Sequence, residues 1–274
     1  MSGTLPKFTT HTDDTKNYPI DVPITPPEFV LRYLNRELES RGRTAGEVRV
    51  LDVGCGRGDT VAWLLNQGWD AYGVDVAADY ISRGRDYLRS LPGADPDRLQ
   101  VIDPDSPYPF PDASFDIVLS DQVIEHVEDL DRFVIEVARI SAPGAAGMHI
   151  FPAKWRPVET HLLMPFVHWL PKGPLRRRAI GRLIRADVGV GYFADLLLDD
   201  RTAIYSAFSE DETFYRPLRD IVETFRRQGL RCDSRSASRE KIAFHLAGSP
   251  KAAVPLLGWL YRNFASVVLY TRKP

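Results

Sequence analysis

The chain has 274 residues, 44% of them hydrophobic and 26% charged, and a formal net charge of −2. That length supports one substantial core or a core with a small addition, and the near-neutral balance lacks the basic excess of a nucleic-acid-binding surface. Two cysteines, Cys55 and Cys232, are too few for a disulfide framework or a four-cysteine zinc site, and no metal ligands are assigned. The first sixteen residues lack the apolar core of a signal peptide, and no apolar run reaches the roughly 18 residues of a spanning helix. The expected location is therefore the cytoplasm.

In chain order, residues 1–24 are polar and proline-containing and read as a flexible arm. Thr25-Pro-Pro-Glu28 has the form of a capping box and predicts a helix with Phe29, Tyr33, Leu34 and Leu38 on one face. Val50–Val53 reads as a buried parallel strand running into Gly54, Gly56 and Gly58, with a helix over 60–67 behind them. Glycine lets the backbone turn sharply and approach a ligand closely, and the helix start offers free N–H groups. A second strand over 71–75 ends on Asp75, seventeen residues after Gly58, where a carboxylate can accept hydrogen bonds from ribose hydroxyls. The unit predicts a nucleoside site. Its spacing is G-x-G-x-G, not the G-x-G-x-x-G of a dinucleotide loop, and Asp52 and Asp59 flank it. Two carboxylates would repel a pyrophosphate but suit a cationic ligand such as S-adenosylmethionine, which carries an ammonium and a sulfonium. An NAD-dependent oxidoreductase is the alternative that this spacing disfavours.

A helix over Asp79–Leu91 and a third strand over Leu99–Ile102 follow, then the acids Asp103 and Asp105. PFPDASFD (Pro109–Asp116) is followed by an apolar run and then IEHVED, which holds His126. Next comes a helix with a 3.6-residue stripe of Leu130, Phe133, Val134, Val137 and Ala138, and after it SAPGAAG. These motifs, in this order, resemble the S-adenosylmethionine-dependent methyltransferases of the seven-stranded Rossmann-like superfamily, especially the methyltransferase type 11 group, over roughly 28–151 and more weakly from 210. The resemblance implies a fourth strand over Phe115–Ser120, a turn at SAPGAAG and a fifth strand near Met148–Phe151, in an α/β fold with a doubly wound, mostly parallel seven-stranded sheet of order 3-2-1-4-5-7-6. It implies cofactor contacts from Asp52, Gly54, Cys55, Gly56 and Asp75, with Val76 packing on the adenine ring. It also implies an acid after strand three at the adenine amino group, for which Asp103 is preferred to Asp105, and places Ser120 and Asp121 near the methionine portion. His126 is the candidate general base; its alternative role is to brace the loop.

Four segments are expected: the arm at 1–24, a cofactor-binding core at 25–151, an inserted helical cap at 152–208, and the C-terminal part of the sheet at 209–274. In the last of these, Ser209-Glu-Asp-Glu212 reads as a second capping box opening a helix that ends near Gly229. LRCDSRSA then reads as strand six, 253–261 as a helix and 265–270 as the last strand. The insertion holds Lys172, Arg176, Arg177, Arg178, Arg182 and Arg185, with no acid between Glu159 and Asp187. It reads as a solvated basic face on helices whose core is Trp155, Phe166 and Trp169, as a site for an anionic, sugar- or lipid-linked acceptor, or as a surface that touches a membrane through 162–170. His161, His168 and Trp169 are candidate substrate contacts. The expected function is methyl transfer to a small-molecule, sugar- or lipid-linked acceptor, with oxygen preferred to nitrogen or carbon. The alternative is a non-catalytic relative that binds the cofactor as a scaffold or regulator. Neither nucleic acid nor a membrane span is expected, and nothing in the sequence sets the oligomeric state.

Overall fold

The computed structural model describes residues 5–8, 25–245 and 255–274. Five parallel strands form one side of a seven-stranded sheet: β1 (Arg49–Val53), β2 (Asp70–Asp75), β3 (Leu99–Val101), β4 (Phe115–Asp121) and β5 (Ser141–Pro152). The order is β3-β2-β1-β4-β5-β7-β6, as expected. The last strand, β7 (Ser266–Arg272), runs antiparallel between β5 and β6 (Arg231–Asp233). The sheet reverses its winding between β1 and β4, and a ligand crevice opens there, outside the carboxyl ends of the strands.

Alternate strand residues feed opposite faces, as the pleat requires. Val50, Ile117, Met148 and Val268 point to one side, beneath α1 (Glu28–Arg41), α2 (Asp59–Asn66) and α3 (Ala78–Ser90). Leu51, Val118, Phe151 and Leu269 point to the other, beneath α4 (Leu130–Ile140) and α7 (Leu218–Arg227). Between β5 and α7 lies the inserted cap, built on α5 (Pro174–Arg185) and α6 (Leu198–Asp211) with its own core of Leu162, Met164, Ile180, Ile204, Tyr205 and Phe208.

Several sequence expectations are corrected. The first helix starts at Glu28 after Pro27, without a side-chain cap from Thr25, and Glu28 instead pairs with Arg32 at 2.6 Å. Ser209 opens no helix: it lies in the last turns of α6, where its hydroxyl and carbonyl both accept from buried Arg176. The cap therefore runs past residue 208, to Asp211. SAPGAAG is part of β5, with Ser141 already paired to Phe115 across an irregularity in the ladder. Strand six stops at Asp233, whose side chain accepts the N–H groups of Arg235 and Ser236 and so starts a further helix, α8 (Arg235–His245). The predicted helix at 253–261 begins outside the described residues; its described part is α9 (Pro255–Phe264). Of the expected arm, residues 9–24 lie outside the described residues, but Phe8 is 4% exposed and packs edge-on against Phe208 and Tyr205 of the cap. Trp155, Phe166 and Trp169 are not the cap core; each is substantially exposed.

One close approach fixes how α3 sits on the sheet. A Cβ on Gly84 would lie 2.1 Å from the carbonyl oxygen of Arg57 and 2.6 Å from Leu99 Cδ1. Backbone cannot yield as a side-chain tip does. Gly84→Ala should therefore cost about 1–3 kcal/mol of stability, read as a lower urea midpoint with an unchanged slope; an unchanged midpoint would show that α3 is free to shift.

Candidate cofactor and acceptor site

The glycine loop is shaped by three contacts. The N–H groups of Gly54 and Cys55 both donate to the Val74 carbonyl, at 2.8 and 3.0 Å, which folds the loop over the end of β2. Gly54 has a left-handed φ of 74°, and a Cβ there would fall 2.3 Å from Val123 Cγ2. Only glycine fits. Asp75, 7% exposed, then fixes the loop from below: Oδ2 accepts from the N–H of Gly56 and Oδ1 from that of Ala77, each at 2.8 Å. Each oxygen keeps a lone pair for a further donor. Next to it Val76 is 59% exposed, an apolar side chain beside the nucleoside cradle.

Asp52 is buried, and among the described residues its side chain has no hydrogen-bond partner. Burial, with Asp121 and Asp75 nearby, pushes its carboxyl up to about 8. A buried acid in that state is relieved by an incoming cation. Cys55 turns its sulfur toward Gly73, and burial holds the thiol well above its ordinary range, which disfavours the thiolate. Asp59, at the start of α2, forms a two-pronged ion pair with Arg57 (2.6 and 3.1 Å).

The other predicted contacts divide. Ser120 is buried and its Oγ is bonded to His149 Nδ1 (2.8 Å), whose Nε2 meets Thr271 Oγ1 (3.3 Å). The Ser120 side chain is thus tied into the sheet. Asp121 is open to solvent at the end of β4, and crowding by protein raises its carboxyl above the ordinary range. Asp103 is exposed, and its oxygens are already engaged by the Asp105 N–H and the Ser106 hydroxyl, both at 3.0 Å. PFPDASFD is held by α4: Arg139 donates to the carbonyls of Tyr108 and Phe110 and to Asp112, while Glu136 accepts from the Tyr108 N–H. That motif serves the scaffold.

Beyond Asp121 the chain bends through Gln122, at a φ of 56°, into a short turn, Ile124–His126. Glu125 is 2% exposed, and among the described residues neither carboxyl oxygen has a hydrogen-bond partner. Burial, then Asp121 and Glu159, push it up to about 8. The sequence reading passed over this acid; its signal was a charge inside the apolar run V-I-E-H-V. His126 Nδ1 lies 2.6 Å from the Glu212 carbonyl, and its ring stands edge-on to His161 at 4.7 Å. Burial and His161 lower it to about 4. His161 sits on a loop closed by a Val158–Pro165 bridge, and Glu159 holds that loop by accepting from the His161 N–H (2.8 Å) and the Tyr215 hydroxyl. His168 is buried against Tyr215, with ring centroids 4.7 Å apart, and burial lowers it. Trp169 lies apart at the surface, its Nε1 donating to the Arg156 carbonyl and its ring against Phe166. A separate groove of about 600 Å³ between α4 and α7 contains none of these residues.

A doubly wound sheet of this order, with a glycine cradle and an acid at the tip of β2, defines a Rossmann-like nucleoside-binding protein. Residues 51–148 match the methyltransferase domain family Methyltransf_11, and the strand order is the one expected of the seven-stranded S-adenosylmethionine-dependent methyltransferase fold. It is 32% identical over 123 residues to a tocopherol O-methyltransferase of Arabidopsis thaliana, covering 43% of this chain and 35% of that one. It is 30% identical over 149 residues to a ubiquinone biosynthesis O-methyltransferase of Sinorhizobium medicae, covering 53% and 58%. Both matches thus span less than two thirds of the relative. In fold it is similar to an S-adenosylmethionine-dependent methyltransferase from Mesorhizobium loti, with a TM-score of 0.51 and 16% identity over 89% of this chain and 98% of that one.

A pH dependence follows from Asp52. Its folded-state value lies above the unfolded one, near 3.8, so the folded chain holds the proton longer. The penalty on the charged form is absent below about pH 4, grows as pH rises and is complete above about 8. Between pH 5 and 8, ligand-free protein should therefore lose at least about 1 kcal/mol more stability than Asp52→Asn. Urea titrations at both pH values test this, and parallel losses would refute it.

Proposed function

We propose that the protein transfers the methyl group of S-adenosylmethionine to an oxygen of a small or lipid-linked acceptor seated between the end of β4 and the inserted cap. One observation carries this reading: the segment that shapes the glycine cradle through Val123 continues directly into buried Glu125 and His126, against which the cap places His161. Cofactor and acceptor chemistry are thereby next to each other. The residues of the cradle fit the cofactor. Asp75 has lone pairs for two ribose hydroxyls, Val76 offers an apolar surface to adenine, and the unpartnered carboxyl of Asp52 suits the ammonium. Asp103, its oxygens already engaged, would need to rearrange or share to reach the adenine amino group.

When bound, the cofactor supplies a methyl carbon activated by its sulfonium. The chain's part is alignment, which by itself contributes several kcal/mol when the reacting atoms are held about 3–3.5 Å apart. A hydroxyl acceptor must also lose its proton. His126 Nε2 carries a lone pair toward the acceptor side, but a side chain lowered to about 4 is a weak base on its own. Relatives named O-methyltransferases, the two above among them, support oxygen as the acceptor atom, while others that match are named N-methyltransferases. A lipid-like acceptor is supported by the exposed rings of Trp155, Phe166 and Trp169 on the cap and the exposed Arg177, Arg178, Arg182 and Arg185 of α5. No helix among the described residues is long and apolar enough to cross a membrane.

The test is a thermal-shift titration with S-adenosylmethionine, S-adenosylhomocysteine and NAD in parallel. A ligand at a hundred times its Kd stabilises by about 2.7 kcal/mol, which corresponds to roughly 5–10 °C here. The two adenosyl compounds should raise the Tm and NAD should not; a rise with NAD alone overturns the reading. Asp75→Ala, which loses charge-assisted hydrogen bonds of about 1.5–3 kcal/mol each, should weaken S-adenosylmethionine binding about 100-fold or more by calorimetry. Unchanged binding would remove Asp75 from the ribose.

A further inference from the structure

Glu125, His126 and His161 come from two stretches of chain 35 residues apart, yet one potential ligand atom from each lies within 4.8 Å of the others. Among the described residues neither Glu125 oxygen, nor His126 Nε2, has a hydrogen-bond partner. A buried carboxyl with both oxygens unbonded is costly, and the surrounding structure holds it in place without relieving it. The Phe214 N–H donates to the Glu125 carbonyl at 2.6 Å, and the Glu212 carbonyl takes His126 Nδ1. Residues 212–214 thus clasp the turn from outside while its polar side chains face one another.

The Glu212 contact decides the chemistry of His126. A carbonyl can only accept, so the proton must sit on Nδ1, and Nε2 presents its lone pair to the cluster. A histidine whose outer ring nitrogen donates to a carbonyl while its inner nitrogen faces an acid and a second imidazole is arranged as metal-bound histidines are. The loop bearing His161 is fixed in the same way, through Glu159 beneath it. Two imidazoles and a carboxylate suit a divalent ion of intermediate softness. Ligands at about 2.0–2.2 Å from a tetrahedral ion lie about 3.4 Å apart, so closure needs inward shifts on the order of 1 Å, within reach of side-chain rotation.

We propose that Glu125, His126 and His161 bind a divalent transition-metal ion, with zinc the best-matched probe, and leave at least one coordination position for an outside oxygen. The placement of that open position beside the acceptor rests on the methyltransferase reading; the site itself does not. If both hold, the ion takes over what His126 alone does poorly, binding the acceptor oxygen and favouring loss of its proton to water. In sequence the set is invisible, because the acid and first histidine are adjacent and the third ligand arrives from the cap.

The experiment is calorimetric titration of the chelator-treated full-length protein with zinc chloride, with manganese and magnesium chlorides as comparisons, alongside Co2+ absorption spectroscopy. The expected result is one zinc per chain, binding at least tenfold tighter than magnesium, and cobalt bands of a four- or five-coordinate ion that zinc displaces. His126→Ala, His161→Ala and Glu125→Gln should each weaken zinc binding about 100-fold or more, while binding of S-adenosylhomocysteine stays within a few-fold of the parent. Absence of stoichiometric zinc binding overturns the proposal, as does full binding by the His126→Ala/His161→Ala double variant. Should a variant fail to fold, the cobalt spectrum of the parent decides alone: six-coordinate, solvent-like bands refute the site. Zinc binding without binding of either adenosyl compound would leave the metal site standing and refute the methyltransferase reading. Binding of both adenosyl compounds without zinc would do the reverse.

Discussion

Two backbone N–H groups converging on the carboxylate of Asp75 hold together what the rest of the site depends on. One comes from the glycine loop after β1 and the other from the chain just after β2, so a single side chain fixes the distance between the two central βα turns. With the loop held there, Gly54 lies under Val123, and the chain leaving β4 has one course open to it. That course carries it through the left-handed Gln122 into the turn bearing Glu125 and His126. Position is passed along this path by hydrogen bonds and contact, with little help from charge.

Charge enters as an imbalance. Asp52 and Glu125 are displaced upward chiefly by burial, and solvent-open Asp121 is displaced upward by the protein crowded around it, against the opposing pull of Lys241. Such a cluster stores electrostatic cost that a cationic ligand relieves. The sulfonium and ammonium of the cofactor would meet it at one end and a divalent ion at the other. The same crowding is hostile to a pyrophosphate, which agrees with the absence of a dinucleotide spacing in the loop.

The cofactor half of the molecule was legible because its signals are local. Strand, glycines, helix and second acid lie within Val50–Asp75, and β1 pairs with β2 in parallel as a strand–helix–strand unit requires. Where the reading failed, a side chain was engaged by something far away. Ser209 resembles an N-cap, but Arg176 takes its oxygens, so α6 runs on through it. Asp233 ends β6 early by capping α8, a signal overlooked because the following S-R-S-A resembles a strand continuation. SAPGAAG looks like a turn, yet pairing with Phe115 draws it into β5. Asp103, expected at the adenine, closes a local turn with Asp105 and Ser106 that could not be read from a run of acids and prolines. Glu125 was missed because nothing near it in sequence predicts that it faces His161.

The burial of Phe8 in the cap bears on how this architecture can diversify. That ring touches Phe208 and Tyr205 and approaches Tyr192 and Phe193, so the cap is finished by residues from the opposite end of the chain. Changes at Phe8 can therefore resize or retilt the cap without altering a strand or a glycine of the cradle. With the acceptor seated against the cap as proposed, acceptor choice and cofactor retention become separately inheritable traits, one tuned at Phe8 while the other stays fixed in the sheet.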